Sequence, residues 1–194
     1  MKVLPLAALL SAGFALAAAA ADSRPSDSLE RSFAEGGRIR LDLSAGDYTI
    51  SGSSDAKLYV EWSTRDDADL RSVRVRPDLT GREPRLRVEG PSKDFKVRIR
   101  LPARTDLVVR LTAGDLRIKG FQGHKDVESH AGDIEIDIGP VAELKHVEAT
   151  VWAGDLEAAA LKISKGGLFR HFSWDGNGRY EVQAHLKAGD LKLY

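Results

Sequence analysis

The stretch Leu107-Val108-Val109-Arg110-Leu111-Thr112-Ala113-Gly114-Asp115-Leu116-Arg117-Ile118 carries the plan of the whole chain. Apolar side chains stand two apart on both sides of its Ala-Gly-Asp, at Leu107, Val109 and Leu111 before it and at Leu116 and Ile118 after it. A period of two marks a strand with one buried face, so two strands meet at the glycine. The tripeptide recurs at Ala45-Gly46-Asp47, Ala131-Gly132-Asp133, Ala153-Gly154-Asp155 and Ala188-Gly189-Asp190. The same spacing precedes most copies, as Ile39/Leu41/Leu43, Val147/Ala149/Val151 and Val182/Ala184/Leu186, and an apolar-polar-apolar triplet follows each Asp.

Successive copies lie 68, 18, 22 and 35 residues apart. A repeat near 20 residues predicts an all-β solenoid, a right-handed β-helix or β-roll-like stack of about 18–22-residue coils. The longest interval reads as about three degenerate coils, with strand-like runs at 58–62, 73–75, 86–88 and 95–101. The 35-residue interval is expected to add a C-terminal hairpin that turns at Asp175-Gly176-Asn177-Gly178 and returns along 180–186. No helical period stands out beyond the N-terminal segment. Glycine suits a corner that needs positive φ or close backbone approach, and an Asp carboxylate can accept free corner amides. A structural turn role is thereby assigned to Gly46, Asp47, Gly114, Asp115, Gly132, Asp133, Gly154, Asp155, Gly189 and Asp190.

The N-terminus supplies the compartment. Lys2 precedes an uncharged Leu- and Ala-rich run to Leu16, and the small residues 17–21 lead into polar Asp22-Ser23-Arg24-Pro25. That is the layout of a cleaved export signal. The expected organisation is a signal peptide at 1–21, a flexible mature N-terminus at 22–31 and one β-solenoid domain at 32–194, periplasmic or secreted. The 194 residues hold 29 basic and 29 acidic side chains and no cysteine, which excludes disulfides, thiolate metal sites and a Cys nucleophile.

Gly36-Gly37-Arg38-Ile39-Arg40-Leu41-Asp42-Leu43-Ser44-Ala45-Gly46-Asp47-Tyr48-Thr49-Ile50-Ser51-Gly52, followed by the recurring Gly-Asp-apolar units, resembles the bacterial putative-adhesin family of unknown function, the toastrack domain. The resemblance spans roughly 32–194. It implies a right-handed β-solenoid or β-roll on exported or membrane-tethered proteins of the cell envelope, some linked to envelope-stress systems.

No catalytic, cofactor-binding or metal-ligating set emerges. The histidines 124, 130, 146, 171 and 185 form no H-E-x-x-H pattern, and neither a G-x-S-x-G elbow nor a phosphate loop is present. Asp115, Asp133 and Asp155 are expected on neighbouring coils, where a carboxylate column would suit calcium, although the nine-residue calcium repeat is missing. Charge is uneven: residues 71–110 carry twelve basic and five acidic side chains, and 121–160 two basic and nine acidic. In a solenoid this split would run along the axis. Arg85, Arg87, Arg98 and Arg100 form the candidate patch for an anionic envelope lipid, polysaccharide or protein. The bland alternative is a set of solvated strand faces that discourage edge pairing. Phe169, His171, Phe172, Trp174 and Tyr180 crowd the last interval, either capping the core or presenting a sugar-stacking platform. The expected function is a non-enzymatic binding or structural module of the envelope. The alternatives are an enzyme acting on envelope polysaccharide and a calcium-binding β-roll.

Intact mass of the exported protein is expected to give a chain beginning at Ala21 or Asp22, free of membrane; retention of Met1 on a membrane-bound product would contradict the signal.

Overall fold

The computed structural model describes residues 24–194; the expected signal peptide at 1–21 and its cleavage point lie outside the described residues. In chain order the elements are β1 (Ser26–Ser32), β2 (Arg38–Leu43), β3 (Asp47–Ser53), β4 (Lys57–Ser63), helix α1 (Asp67–Ser72), β5 (Arg74–Asp78), β6 (Arg85–Glu89), β7 (Lys96–Pro102), β8 (Asp106–Leu111), β9 (Leu116–Lys119), β10 (Lys125–Ala131), β11 (Ile134–Ile136), β12 (Leu144–Ala153), β13 (Leu156–Ala158), β14 (Ile163–Lys165), β15 (Leu168–Asp175), β16 (Tyr180–Ala188) and β17 (Leu191–Leu193). They form two mixed sheets. One has nine strands in the order β1-β4-β7-β3-β9-β11-β17-β13-β14, the other eight in the order β15-β12-β16-β10-β8-β2-β6-β5.

Every Ala-Gly-Asp corner joins a strand of the eight-stranded sheet to one of the nine-stranded sheet: β2 to β3, β8 to β9, β10 to β11, β12 to β13 and β16 to β17. The apolar residues two apart in these strands point between the sheets, where Ile39, Leu41, Val109, Leu116, Ile118, Ile136, Val147 and Val182 are all almost fully buried. Within each sheet these repeat strands pair in parallel, as in β10 with β8 and β11 with β9. Antiparallel strands close the ends: β5 on β6, β4 on β7 and β1 on β4 at one end, β15 on β12 and β14 on β13 at the other.

At the corners the backbones form a ladder. The Gly114 amide donates to Ala131 O (2.9 Å), that of Gly132 to Ala188 O (3.0 Å) and that of Gly189 to Ala153 O (2.9 Å). Asp side chains add a second rail: Asp115 Oδ1 accepts the Asp133 amide (3.4 Å), Asp133 Oδ1 that of Asp190 (3.2 Å) and Asp190 Oδ1 that of Asp155 (3.0 Å). Gly132 sits at φ +117°, and a Cβ built on it would fall on the carbonyl of Gly114. Gly114 stands in the same relation to Gly46. No side chain fits there in either respect.

Four features differ from the sequence expectations. First, strand order in space is not strand order in sequence. The 68-residue interval holds one two-strand unit, β6 and β7, plus the antiparallel strands β4 and β5, and β6–β7 packs outside β2–β3. Likewise β16–β17 inserts between β10–β11 and β12–β13, so Asp190 separates Asp133 from Asp155 and the carboxylate neighbours are not the expected trio. Second, β15 and β16 are not a C-terminal hairpin, because β12 lies between them. Their turn crosses over the start of β12, with Gly176 and Gly178 amides donating to Lys145 O and Leu144 O, both at 2.9 Å. The alternating Val182, Ala184 and Leu186 place β16 in a doubly flanked parallel position, where both backbone edges are bonded. Third, the segment 22–31, expected to be a flexible N-terminus, contributes residues from Ser26 onward to β1, which pairs through its backbone with β4 and turns only Leu29 toward the core. Fourth, the short helix α1 starts where the Asp66 carboxylate accepts the Asp69 amide at 2.9 Å, a local cap that needs no apolar period.

Gly132→Val is expected to lower the unfolding free energy by about 3 kcal/mol or more, through left-handed strain and the clash with Gly114. Glu157→Gln, on the solvent face of β13, should stay within about 0.5 kcal/mol. Equal denaturant midpoints for the two would contradict the corner packing.

Candidate functional site

The two outer faces differ in how their charges are arranged. Across the nine-stranded sheet the register aligns Glu61, Arg98, Thr49, Arg117, Glu135, Lys192 and Glu157 in one row. No like charges are direct neighbours along it, since Thr49 separates Arg98 from Arg117; Arg98 is 3.6 Å from Glu61 and Arg117 2.6 Å from Glu135, and Arg100 lies on the Tyr59 ring at 4.3 Å. Cross-strand pairs of opposite sign neutralise one another, and this face is self-satisfied.

On the eight-stranded sheet, like charges are direct neighbours at two places, Arg76 beside Arg87 and Arg85 beside Arg40. One row runs Asp78, Arg85, Arg40, Val108, Asp126, Gln183, Glu148 and Ser173, and the next runs Arg76, Arg87, Asp42, Arg110, Glu128, His185, Thr150 and His171. Arginines therefore stand side by side on β5, β6 and β2. Val108 points outward among them, yet is only 7% exposed, because the long side chains around it rise above its short one. The resulting hollow, about 150 Å³, is lined by Arg38, Arg40, Arg82, Glu83, Pro84, Val108, Arg110 and Asp126. Arg40 is held by Asp42 at 2.8 Å, and Arg110 makes a two-pronged contact with Asp126, both bonds 2.9 Å. Arg38 and Arg82 have no side-chain partner among the described residues. Two ordered guanidiniums over an apolar floor, flanked by two unpaired ones, suit a phosphate, sulfate or carboxylate group.

The structure does not bring the four sequence-selected arginines together. Arg85 and Arg87 are on the eight-stranded face, whereas Arg98 and Arg100 are on the nine-stranded one, because consecutive strands β6 and β7 belong to opposite sheets. Arg38 and Arg82 escaped the sequence reading. Arg82 sits in a turn, and Arg38 lies outside the basic run of 71–110, but β2 packs directly beside β6. Of the corner residues, Asp115, Asp133 and Asp190 give one oxygen each to a backbone amide, and no group of three His, Asp or Glu side chains among the described residues is assembled to hold a metal.

Four of the five histidines, at 130, 146, 171 and 185, belong to the eight-stranded sheet, and His124 immediately precedes β10. Glu148 lies between His146 Nε2 (3.8 Å) and His171 Nε2 (3.4 Å), and His146 Nδ1 is 2.7 Å from Asp175, a bond that raises the His146 pKa. The aromatic group of the last interval splits. Phe172 is buried, Trp174 and Tyr180 pack against the core, and Phe169 stands exposed beside Trp152.

Lys125 is a second residue the sequence reading passed over. It occupies an inward position of β10, 2% exposed, and its Nζ donates to Phe121 O (3.1 Å) and Gly123 O (3.4 Å) of the return loop between β9 and β10. Burial lowers its pKa to about 8, against the pull of Asp137, Asp106 and Glu143 toward the charged form. The inward phase shared with Val127 and Ser129 was the available signal.

No family model matches the chain, and no curated protein matches it. Solved structures do. A putative cell adhesion protein from Clostridium sporogenes superposes with a TM-score of 0.58 at 13% identity, covering 87% of this chain and 99% of that one. A putative adhesin from Bacteroides fragilis gives 0.39 at 11%, covering 89% and 98%. One from Parabacteroides distasonis gives 0.30 at 13%, covering 88% and 70%. The structural neighbours are thus putative adhesins and cell adhesion proteins, and the first shares the fold.

Lys125→Met is expected to raise stability by about 2–3 kcal/mol below pH 8. Between the lowered folded pKa and the ordinary 10.5, the unfolded chain binds more protons, so wild-type stability rises with pH and the gap to the variant narrows. Parallel pH profiles of the two proteins, measured by urea titration, would contradict a buried cationic lysine.

Proposed function

We propose that this chain is an exported, non-enzymatic binding module of the bacterial cell envelope, built as a right-handed β-solenoid and docking an anionic polymer on the outer face of its eight-stranded sheet. The single observation behind this reading is the contrast between the two faces. On one, no like charges are direct neighbours along the Glu61–Glu157 row, whereas on the other arginines cluster around the Val108 hollow. Asp42 lies between Arg40 (2.8 Å) and Arg85 (3.2 Å), so the charge left for a bound anion is that of the unpaired Arg38 and Arg82. A flat sheet face with a shallow basic hollow suits repeated contacts along a phosphorylated, sulfated or uronic polysaccharide better than an enclosed substrate. Three of the five corner carboxylates, those of Asp115, Asp133 and Asp190, each give one oxygen to a backbone amide, which speaks for a structural role at those corners. The adhesin-like neighbours agree with a binding role. No helix among the described residues is long and apolar enough to cross a membrane.

Dextran sulfate serves as the probe. Binding is expected at low salt and should fade as the Debye length shrinks from about 30 Å at 0.01 M to about 8 Å at 0.15 M. The double variant Arg38→Glu/Arg82→Glu should weaken it about tenfold or more, since each reversal replaces attraction by repulsion. Arg98→Glu/Arg100→Glu, on the opposite face, should change it less than about threefold. Equal losses from both pairs, or no binding at low salt, would sink the assignment of this face.

A further inference from the structure

Four large apolar side chains stand exposed among the described residues, and three of them share one end of the molecule: Trp152, Leu168 and Phe169, at 61, 64 and 66% exposure. The Trp152 and Phe169 ring centroids are 4.9 Å apart, and Leu168 lies opposite Ala153 in the β12–β15 register. Phe169 has φ +55°, a left-handed conformation that a bulky residue adopts only at a cost. That strain holds an exposed ring, not a buried one.

The patch belongs to the segment that closes the stack. From β14, the last strand of one sheet, the chain crosses through Gly166-Gly167 to β15, the last strand of the other. Residues 159–170 carry Lys162, Lys165 and Arg170 and no carboxylate. Lys187 stands beside Trp152, between the aligned pairs Val151–Leu186 and Ala153–Ala188. The Asp155 carboxylate lies against Gly166, Asp155 and Glu157 line one hollow with Lys165, and Lys165 Nζ donates to His171 O (2.8 Å), which leaves Lys162 and Lys187 as the cations of the rim. An aromatic and aliphatic tip with a lysine rim matches the interfacial zone of a bilayer, where Trp is favoured and basic side chains meet lipid phosphates. A sugar platform fits less well, because the two rings meet edge to face at 65° and offer no continuous plane, and Leu168 offers no polar group.

We propose that this tip inserts into an anionic lipid surface, with Trp152, Leu168 and Phe169 entering the headgroup boundary and Lys162 and Lys187 pairing with lipid phosphates. The site is separate from the Val108 hollow: β16 lies between β12 and β10, the nearest strand that lines the hollow, and neither Arg38 nor Arg82 takes part.

The test uses the mature chain with vesicles of equal parts phosphatidylcholine and phosphatidylglycerol. Co-sedimentation and a blue shift of tryptophan emission are expected at low salt, and the shift should disappear in Trp152→Phe while sedimentation persists. Leu168→Ser/Phe169→Asn should cut vesicle binding about tenfold or more, with thermal unfolding unchanged because Asn accepts the left-handed backbone. Arg38→Glu/Arg82→Glu should keep the shift, so its loss of dextran sulfate binding reports on the other surface alone. The proposal is overturned by absent sedimentation, by sedimentation without the Trp152 shift, or by wild-type binding of the Leu168/Phe169 variant. The same shift with dextran sulfate would assign the tip to a polyanion in place of lipid.

Discussion

The close approach of backbone to backbone at the Ala-Gly-Asp corners is the constraint on which the rest of the molecule depends. Where Gly132 meets Gly114, the carbonyl of one unit fills the space that a side chain of the next would need. Glycine makes that approach possible, and the amide-to-carbonyl ladder together with the Asp carboxylates makes it favourable, because polar groups brought into a crowded bend find partners. With the corners stacked, each unit delivers one strand to each sheet, and its alternating apolar residues necessarily meet between the sheets.

Stacking of corners does not require stacking in sequence order, and the chain uses that freedom twice. Moving β6–β7 outside β2–β3 brings the arginines of β6 next to those of β2, from a stretch some 45 residues earlier by register. Inserting β16 beside β12 gathers Glu148, Gln183, Thr150 and His185 on neighbouring strands. The arginine-lined surface is therefore a product of strand order, and the charges that meet there are distant in sequence. Antiparallel strands at both ends cover units that would otherwise leave apolar coils open, and the last of these, β14–β15, carries the exposed aromatic tip.

Strand positions were legible because the period of two around Gly-Asp is unbroken, as in Leu107 to Ile118. The all-β, two-strand unit followed from it directly. What could not be read was neighbour relations. Alternation says which face a side chain takes, but β16 and β15 both alternate across a turn rich in glycine, and nothing local distinguishes a hairpin from a turn that crosses over β12. Charge counting along the chain failed for the same reason: Arg85 and Arg98 are close in sequence but on opposite faces, whereas Arg38 and Arg82 converge. Lys125 was lost among the solvated lysines, although its phase with Val127 put it inside.

The absence of native cysteine makes cross-linking the most direct measurement of this non-sequential stacking. On the outer face Asp126 is aligned with Gln183, and Gln183 with Glu148. Adjacent strands lie about 4.8 Å apart and alternate strands about twice that, beyond disulfide reach. Cysteine pairs at 126/183 and at 183/148 should therefore oxidise readily in the folded protein, and the pair at 126/148 should stay reduced. A 126/148 disulfide formed in preference to the other two would place β10 against β12 and contradict the corner-directed order.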